Sequence, residues 1–170
     1  MLAENGHGTP FEKSSIHFLV TTDIASHIHI LKHRIGVSVN GESARYKELK
    51  DDKYYVPVDW PENEREAFIE HCEASLARYH ATLQRLIARG VDKKRAKESA
   101  RLYLPYANQI TADVLFNFRS FIHFVGLRNS EHAQLEIREI AREMLKQVYE
   151  GGQFPLSLAA FGWTPEKIYG

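Results

Sequence analysis

Between Pro61 and Gly90 the residues Phe68, Cys72, Leu76, Tyr79, Leu83 and Ile87 recur at intervals of three or four. A helix gathers residues so spaced into one apolar stripe, and a helix over residues 61–89 is about 40 Å long. An element of that length constrains the rest of the chain, because its stripe has to be covered from end to end. Pro61 suits the first helical turn, where its missing N–H costs no hydrogen bond, and Gly90 is a natural stop. Asp92 then caps a second, basic helix that ends before Pro105.

Strand signals are fewer. Residues 14–22 alternate, with Ile16, Phe18 and Val20 on one side and His17 and Leu19 on the other, which is the period of a strand. Thr22 or Asp23 can cap a following helix in which Ile24, Ile28, Leu31 and Ile35 fall at helical spacing. His29, Lys32 and His33 lie beside that stripe. Residues 36–41 break the pattern, and Tyr54-Tyr55-Val56-Pro57 reads as a short extended segment. Gln109–Phe116 fits either period; Ile110, Thr111, Val114 and Phe116 favour a strand, with a helix beginning near Asn117. Residues 130–150 place Ala133, Ile137, Ile140, Ala141, Met144 and Val148 on one face of a helix that Gly151-Gly152 ends. No internal repeat or interdomain linker divides residues 1–170. The expected architecture is a single α+β domain, helix-rich, with a small, mostly antiparallel sheet.

Composition narrows the function classes. A chain of 170 residues with 44% hydrophobic and 26% charged content supports one proper core. Lys+Arg and Asp+Glu both number 22, so the formal charge is zero. A protein that neutralises nucleic-acid phosphates carries a basic surplus. The balance therefore argues against nucleic acid or an anionic membrane as partner, and the cations read as a pocket rather than a face. The single Cys72 leaves no internal disulfide and fits a reducing compartment. No apolar run approaches the roughly 20 residues of a membrane span. Residues 1–8 lack the order of a secretory signal. A cytosolic enzyme fits these observations.

His29 and His33 lie four apart, a spacing able to hold a metal, but no HExxH pattern accompanies them and no third ligand is placed. Glu70-His71-Cys72-Glu73 is metal-like in composition only, since successive helical residues point in different directions. No metal is expected. Cys72 falls on the apolar stripe, where packing explains it. Ser43 has no strand-nucleophile-helix elbow and only His33 near it in sequence. With Arg45 beside it, Ser43 reads as a donor to an anion, or else as part of an ordinary polar loop.

The densest chemistry lies in two stretches. Lys32-His33-Arg34 leads into Ser43-Ala44-Arg45-Tyr46, and Asn117-Phe118-Arg119 leads into Leu127-Arg128-Asn129-Ser130-Glu131-His132-Ala133-Gln134. Fixed cations, imidazoles and amides so concentrated suit phosphates held beside a polar ring. On a helix from Asn117, positions 119 and 123 share a face, as do 123 and 127. Arg128 falls near the helix end and His132 at the opening of the next, where free N–H groups favour anions. The plainer alternative is a surface network in which Arg119 and Arg128 pair with Glu131 and Glu136.

In this order the motifs resemble the flavin-dependent thymidylate synthases. The resemblance opens at Gly6-His7-Gly8-Thr9-Pro10-Phe11-Glu12 and continues through Lys32-His33-Arg34 with its following serine. It passes through Ala100-Arg101-Leu102-Tyr103-Leu104-Pro105 and runs to about Trp163, nearly the whole chain. It implies that family's fold, N-terminally short, and a homotetramer whose active sites are shared between subunits. The implied reaction converts dUMP to dTMP with methylenetetrahydrofolate as carbon donor, NADPH as reductant and bound FAD. The implied flavin contacts are His7, Thr9, Glu12, His33, Arg34, Ile35, Asn117, Arg119, His123, Leu127 and His132. Ser43, Ala44 and Arg45, helped by Arg101, would hold the dUMP phosphate, and Arg128 would lie against the uracil as the catalytic residue.

These residue types suit that chemistry. Guanidinium groups bind phosphates bidentately. One beside a pyrimidine carbonyl stabilises the negative charge that develops as C5 is methylated. The route needs no cysteine nucleophile, in agreement with Cys72 on the core stripe. Departures from the family pattern are specific. Lys32 replaces the first arginine of the signature. Eight residues rather than seven separate Arg34 from Ser43, which puts the acidic dUMP contact on Glu42 in preference to Gly41. His29 stands where a glutamine contacts nucleotide. A strand and helix that precede this region in the family have no counterpart here, so a reduced, viral-type member working in host cytoplasm, or a chain lacking its start, is expected. The alternatives are a related pyrimidine nucleotide modification, by hydroxymethylation or on dCMP, and a non-catalytic nucleotide-binding protein.

Overall fold

The computed structural model describes residues 2–43 and 53–169. In chain order its elements are β1 (Ile16–Asp23), α1 (Ile24–Leu31), β2 (Val37–Gly41), α2 (Glu62–Ala88), α3 (Lys93–Ala100), β3 (Gln109–Phe116), α4 (Phe118–Arg128), α5 (Leu135–Glu150), α6 (Pro155–Ala160) and α7 (Pro165–Tyr169). Short 3-10 turns stand at Thr9–Glu12 and Arg101–Tyr103. The strands form one antiparallel sheet in the order β1-β3-β2. This is the helix-rich α+β architecture expected of the sequence. Among the described residues no helix is long and apolar enough to cross a membrane. The chain clusters into two compact units.

The first unit comprises Met1–Leu19, His29–Asn40 and Asp113–Gly170. Its core is aromatic. Phe18 stacks on Phe121 at 5.6 Å, and Phe116 meets Phe121 at 6.0 Å and Phe124 at 5.2 Å. Helix α5 turns Ile137, Ala141, Met144, Leu145 and Val148 inwards, close to the face read from its period. Phe11 lies against Phe118 at 6.2 Å and edge-on to Phe161 at 4.8 Å, so the 3-10 turn at Thr9–Glu12 is held on α4. Full burial of such a ring contributes roughly 2–3 kcal/mol.

The second unit comprises Val20–Ile28 and Gly41–Ala112. Helix α2 buries Cys72, Leu76, Tyr79 and Leu83, the stripe that its spacing predicts. Tyr79 and Leu83 pack against Ala96 and Ala100 of α3, whose small side chains let the two helices approach. Gly90 takes φ +82°, which a side chain rarely tolerates, and so turns the chain between them. Asp92 caps α3, its Oδ1 accepting from the N–H groups of Lys94 and Arg95 at 3.0 Å each. Asp23 does the same for α1, accepting from Ser26 N–H at 2.8 Å.

Four expectations need correction. Residues 36–41 include a strand, β2, whose alternating Val37 and Val39 are masked in the sequence by Gly36, Asn40 and Gly41. Helix α1 stops at Leu31, so Ile35 is not on its stripe and stands 90% exposed. Helix α5 begins at Leu135 rather than near residue 130. Ala133 N–H instead closes a turn on Ser130 C=O at 2.9 Å, which leaves Ala133 and His132 ahead of the helix. Pro61 precedes α2 as its cap rather than lying in its first turn.

Candidate active site

The segment after α1 is tied to the start of α4. Asn117 N–H donates to Gly36 C=O at 2.9 Å, and Ser120 Oγ donates to Ile35 C=O at 2.6 Å. The Asn117 side chain accepts from Ser120 N–H at 2.8 Å and so starts the helix. Gly36 has φ +65°, and a Cβ there would run into the Asn117 amide and the Ser120 hydroxyl. This joint sets Lys32, His33, Arg34 and Ile35 against Ser120, His123, Leu127 and Arg128 around a pocket of about 300 Å³ in the first unit.

Inside that pocket Arg128 Nε donates to His33 Nε2 at 3.0 Å. The His33 ring stands edge-to-face with Phe124 at 5.0 Å and with His123 at 6.2 Å. Burial, together with repulsion from Arg128, His123 and His29, pushes the His33 pKa down to about 4. His33 is therefore neutral at pH 7, as the acceptor role requires. Among the described residues that line the pocket there is no carboxylate, so Lys32, Arg34 and Arg128 meet there without an acidic partner among them. Ile35 and Leu127, 90% and 51% exposed, add open apolar surface beside the cations. That donor set fits a flavin dinucleotide: cations for phosphate oxygens, apolar surface for a flat ring.

The remaining expected flavin contacts lie outside that lining. Arg119 pairs with Glu12 at 2.5 Å, with its guanidinium in the space that a Gly8 side chain would fill. His7 and Thr9 are exposed at the 3-10 turn next to them. Asn117 uses its side chain as a helix cap. His132 is exposed in the turn before α5, its N–H donating to Ser130 Oγ at 3.3 Å. The plainer pairing of Arg119 and Arg128 with Glu131 and Glu136 is replaced by Arg119 with Glu12 and Arg128 with His33.

A second pocket, of about 260 Å³, lies in the second unit and is lined by Glu42, Ser43 and Arg101 with Ile24, Leu104, Asn108 and Ile110. Glu42 extends the β2–β3 pairing: its N–H donates to Thr111 C=O at 2.9 Å, and its carboxylate accepts from Thr111 N–H at 3.2 Å. Three of the expected nucleotide contacts thus share a wall, with Glu42 rather than Gly41 on it. Ala44 and Arg45 fall outside the described residues. Cys72 is buried on α2, where burial and the Glu73 carboxylate push its thiol up, away from nucleophile behaviour. Ser120, Gly8 and Gly36 are not among the contacts expected from the sequence, although Gly8 stands within the marker at residues 6–12. For Ser120 the available signal was its place three residues after Asn117, at the expected helix start.

A family profile described as Thymidylate synthase complementing protein matches residues 1–152. The chain belongs to that family. It is 33% identical over 153 residues to the flavin-dependent thymidylate synthase of Mycobacterium tuberculosis, covering 84% of this chain and 61% of the relative. With the enzyme of the same name from Mycolicibacterium vanbaalenii it shares 34% identity over 155 residues, covering 85% and 62%. The chain thus spans about three-fifths of the length of these relatives. Among solved structures it is similar to a UMP/dUMP methylase PolB from Streptomyces cacaoi bound with 5-Br UMP. The TM-score is 0.77 at 28% identity, covering 94% of this chain and 79% of that one. The same methylase bound with 5-Br dUMP gives a TM-score of 0.75 at 28% identity, covering 95% and 76%.

Proposed function

We propose that the chain catalyses FAD-dependent reductive methylation of dUMP to dTMP, with methylenetetrahydrofolate as carbon donor and NADPH as reductant. The carrying observation is the pocket whose described lining brings Lys32, Arg34, Arg128 and neutral His33 together with exposed apolar side chains and no carboxylate, in a chain of this family. His33, Arg34, Ile35, His123 and Leu127 would hold the cofactor, with Arg119 and Glu12, His7, Thr9, Asn117 and His132 around its rim. The flavin, when bound, supplies the reducing equivalents. Arg128 would place guanidinium N–H groups at a pyrimidine carbonyl, where negative charge grows as C5 takes up the new carbon. Glu42, Ser43 and Arg101, with Ala44 and Arg45, would bind the nucleotide. Self-association into a tetramer with shared sites, in the cytoplasm, belongs to the same reading.

A second reading has UMP as an additional substrate, because the similar solved structures are of a UMP/dUMP methylase. The test is to reconstitute the purified chain with FAD and supply NADPH, methylenetetrahydrofolate and dUMP, UMP or dCMP, identifying products by mass. A methylated dUMP product is expected. A hydroxymethylated product or turnover of dCMP moves the assignment to a related modification, and failure to take up FAD makes the chain a non-catalytic binder. Arg128→Ala is expected to keep flavin while losing turnover about a hundredfold; unchanged turnover removes Arg128 from the reaction.

A further inference from the structure

We propose that His33 is a positioning residue for Arg128, fixing the guanidinium so that only its two terminal amino groups face the ligand. A guanidinium can meet a planar acceptor through Nε and one terminal nitrogen, or through both terminal nitrogens. The 3.0 Å bond from Arg128 Nε to His33 Nε2 occupies the first of these edges. Arg128 is also the last residue of α4, where a long side chain would otherwise swing between rotamers. Held at Nε, it keeps four N–H donors in one plane for an incoming carbonyl or phosphate.

The acceptor is itself held in place. Phe124 and His123 wall the His33 ring on the α4 side. The titratable groups facing it are His29 on α1, Lys32 and Arg34 beside it in the chain, and His123 and Arg128 on α4. None of these described groups is a carboxylate, so none of them draws a second proton onto the ring. With Nε2 accepting, the single ring proton must sit on Nδ1, the tautomer that a free histidine side chain disfavours. That tautomer is an observable signature of the arrangement.

The kinetic part of this proposal rests on the methylation reading; the structural part does not. Ring-nitrogen NMR of the isotope-labelled full chain, at neutral pH without flavin or nucleotide, decides the structural part. One histidine, assigned to His33 by its disappearance in His33→Gln, should carry its proton on Nδ1 and shift towards the Nε2–H form in Arg128→Ala. A His33 protonated on Nε2 in the unmutated chain, or a tautomer indifferent to Arg128→Ala, overturns the proposal. Kinetics at saturating FAD add a second arm. His33→Phe, which keeps a ring but no acceptor, should lower kcat about ten- to a hundredfold while nucleotide KM stays within about threefold. His33→Gln, whose amide oxygen can accept from Nε, should recover most of that loss; equal losses in the two variants count against positioning. If the unmutated chain transfers no methyl group, the methylation reading fails, while the NMR result still decides the His33–Arg128 contact.

Discussion

Gly8 and Arg119 show how a missing side chain builds a cationic site. Gly8 has an ordinary φ of −76°, so its backbone would accept any residue. An added Cβ, however, would lie 2.6 Å from Arg119 Nε and 2.7 Å from Cζ. The guanidinium occupies that space and is held there by Glu12. Gly8→Ala should therefore push the Arg119 tip off Glu12 without straining the chain. The exposed ion pair is worth little, so stability should change by less than about 1 kcal/mol. FAD affinity should weaken about three- to tenfold if Arg119 grips a cofactor phosphate. Fluorescence titration beside urea unfolding separates the two effects, and an unaltered FAD affinity would take Arg119 out of cofactor binding.

At the scale of elements, α4 supplies one wall of the first pocket and begins at a single capped residue. Asn117→Ala should cost about 1 kcal/mol through the lost bond to Ser120 N–H. It should also loosen the joint with Gly36 and weaken flavin binding. Asp92→Ala removes an equivalent cap from α3 in the second unit and is the control: a similar loss of stability with flavin affinity unchanged. Equal effects of both variants on flavin would show that α4's first turn has no special part in the pocket. Both caps are legible in the sequence, because an asparagine or aspartate ahead of a helical run has a direct hydrogen-bonding reason to be there. The strand β2 is not, since its two valines gain meaning only from the neighbouring β3. The start of α5 was misread because Ala133 continues the apolar period while the backbone of residues 130–133 closes a turn instead.

For the molecule as a whole, imidazoles held neutral by the fold set a pH limit on folding. His33 in the first unit and His27 in the second are both held below their usual pKa, each chiefly by burial. The unfolded chain takes up a proton near pH 6.5 that the folded His33 refuses until about pH 4. Stability is therefore intact above 6.5 and falls as the pH drops from there towards 4. His33, a half-buried ring at an open pocket where solvent screens its neighbours, should by itself remove about 1 kcal/mol between pH 7 and pH 5. Urea midpoints at the two pH values check this, and His33→Gln, which cannot titrate, should reduce the difference and leave the share of His27. A midpoint independent of pH in the unmutated chain would show that His33 takes up its proton alike in the folded and unfolded chain.

The amino-acid sequence by itself determined the long helix α2, the cap at Asp92, the strand β1, the family and the residues that carry charge, and it favoured β3 and a helix start near Asn117. Each follows from chain-local rules: side-chain period, capping geometry, or a motif whose residues stand close together. Only the tertiary structure decided which charges meet. Arg119 turns to Glu12, which is 107 positions away, and Arg128 to His33, which is 95 away. Glu131, three positions from Arg128, is neither one's partner in these bonds. The physical reason is that a guanidinium takes whichever acceptor the packed backbone brings within hydrogen-bonding reach, and distance along the chain says nothing about that. The neutrality of His33 has the same origin, because burial and neighbouring cations are properties of the assembled pocket rather than of the Lys32-His33-Arg34 motif.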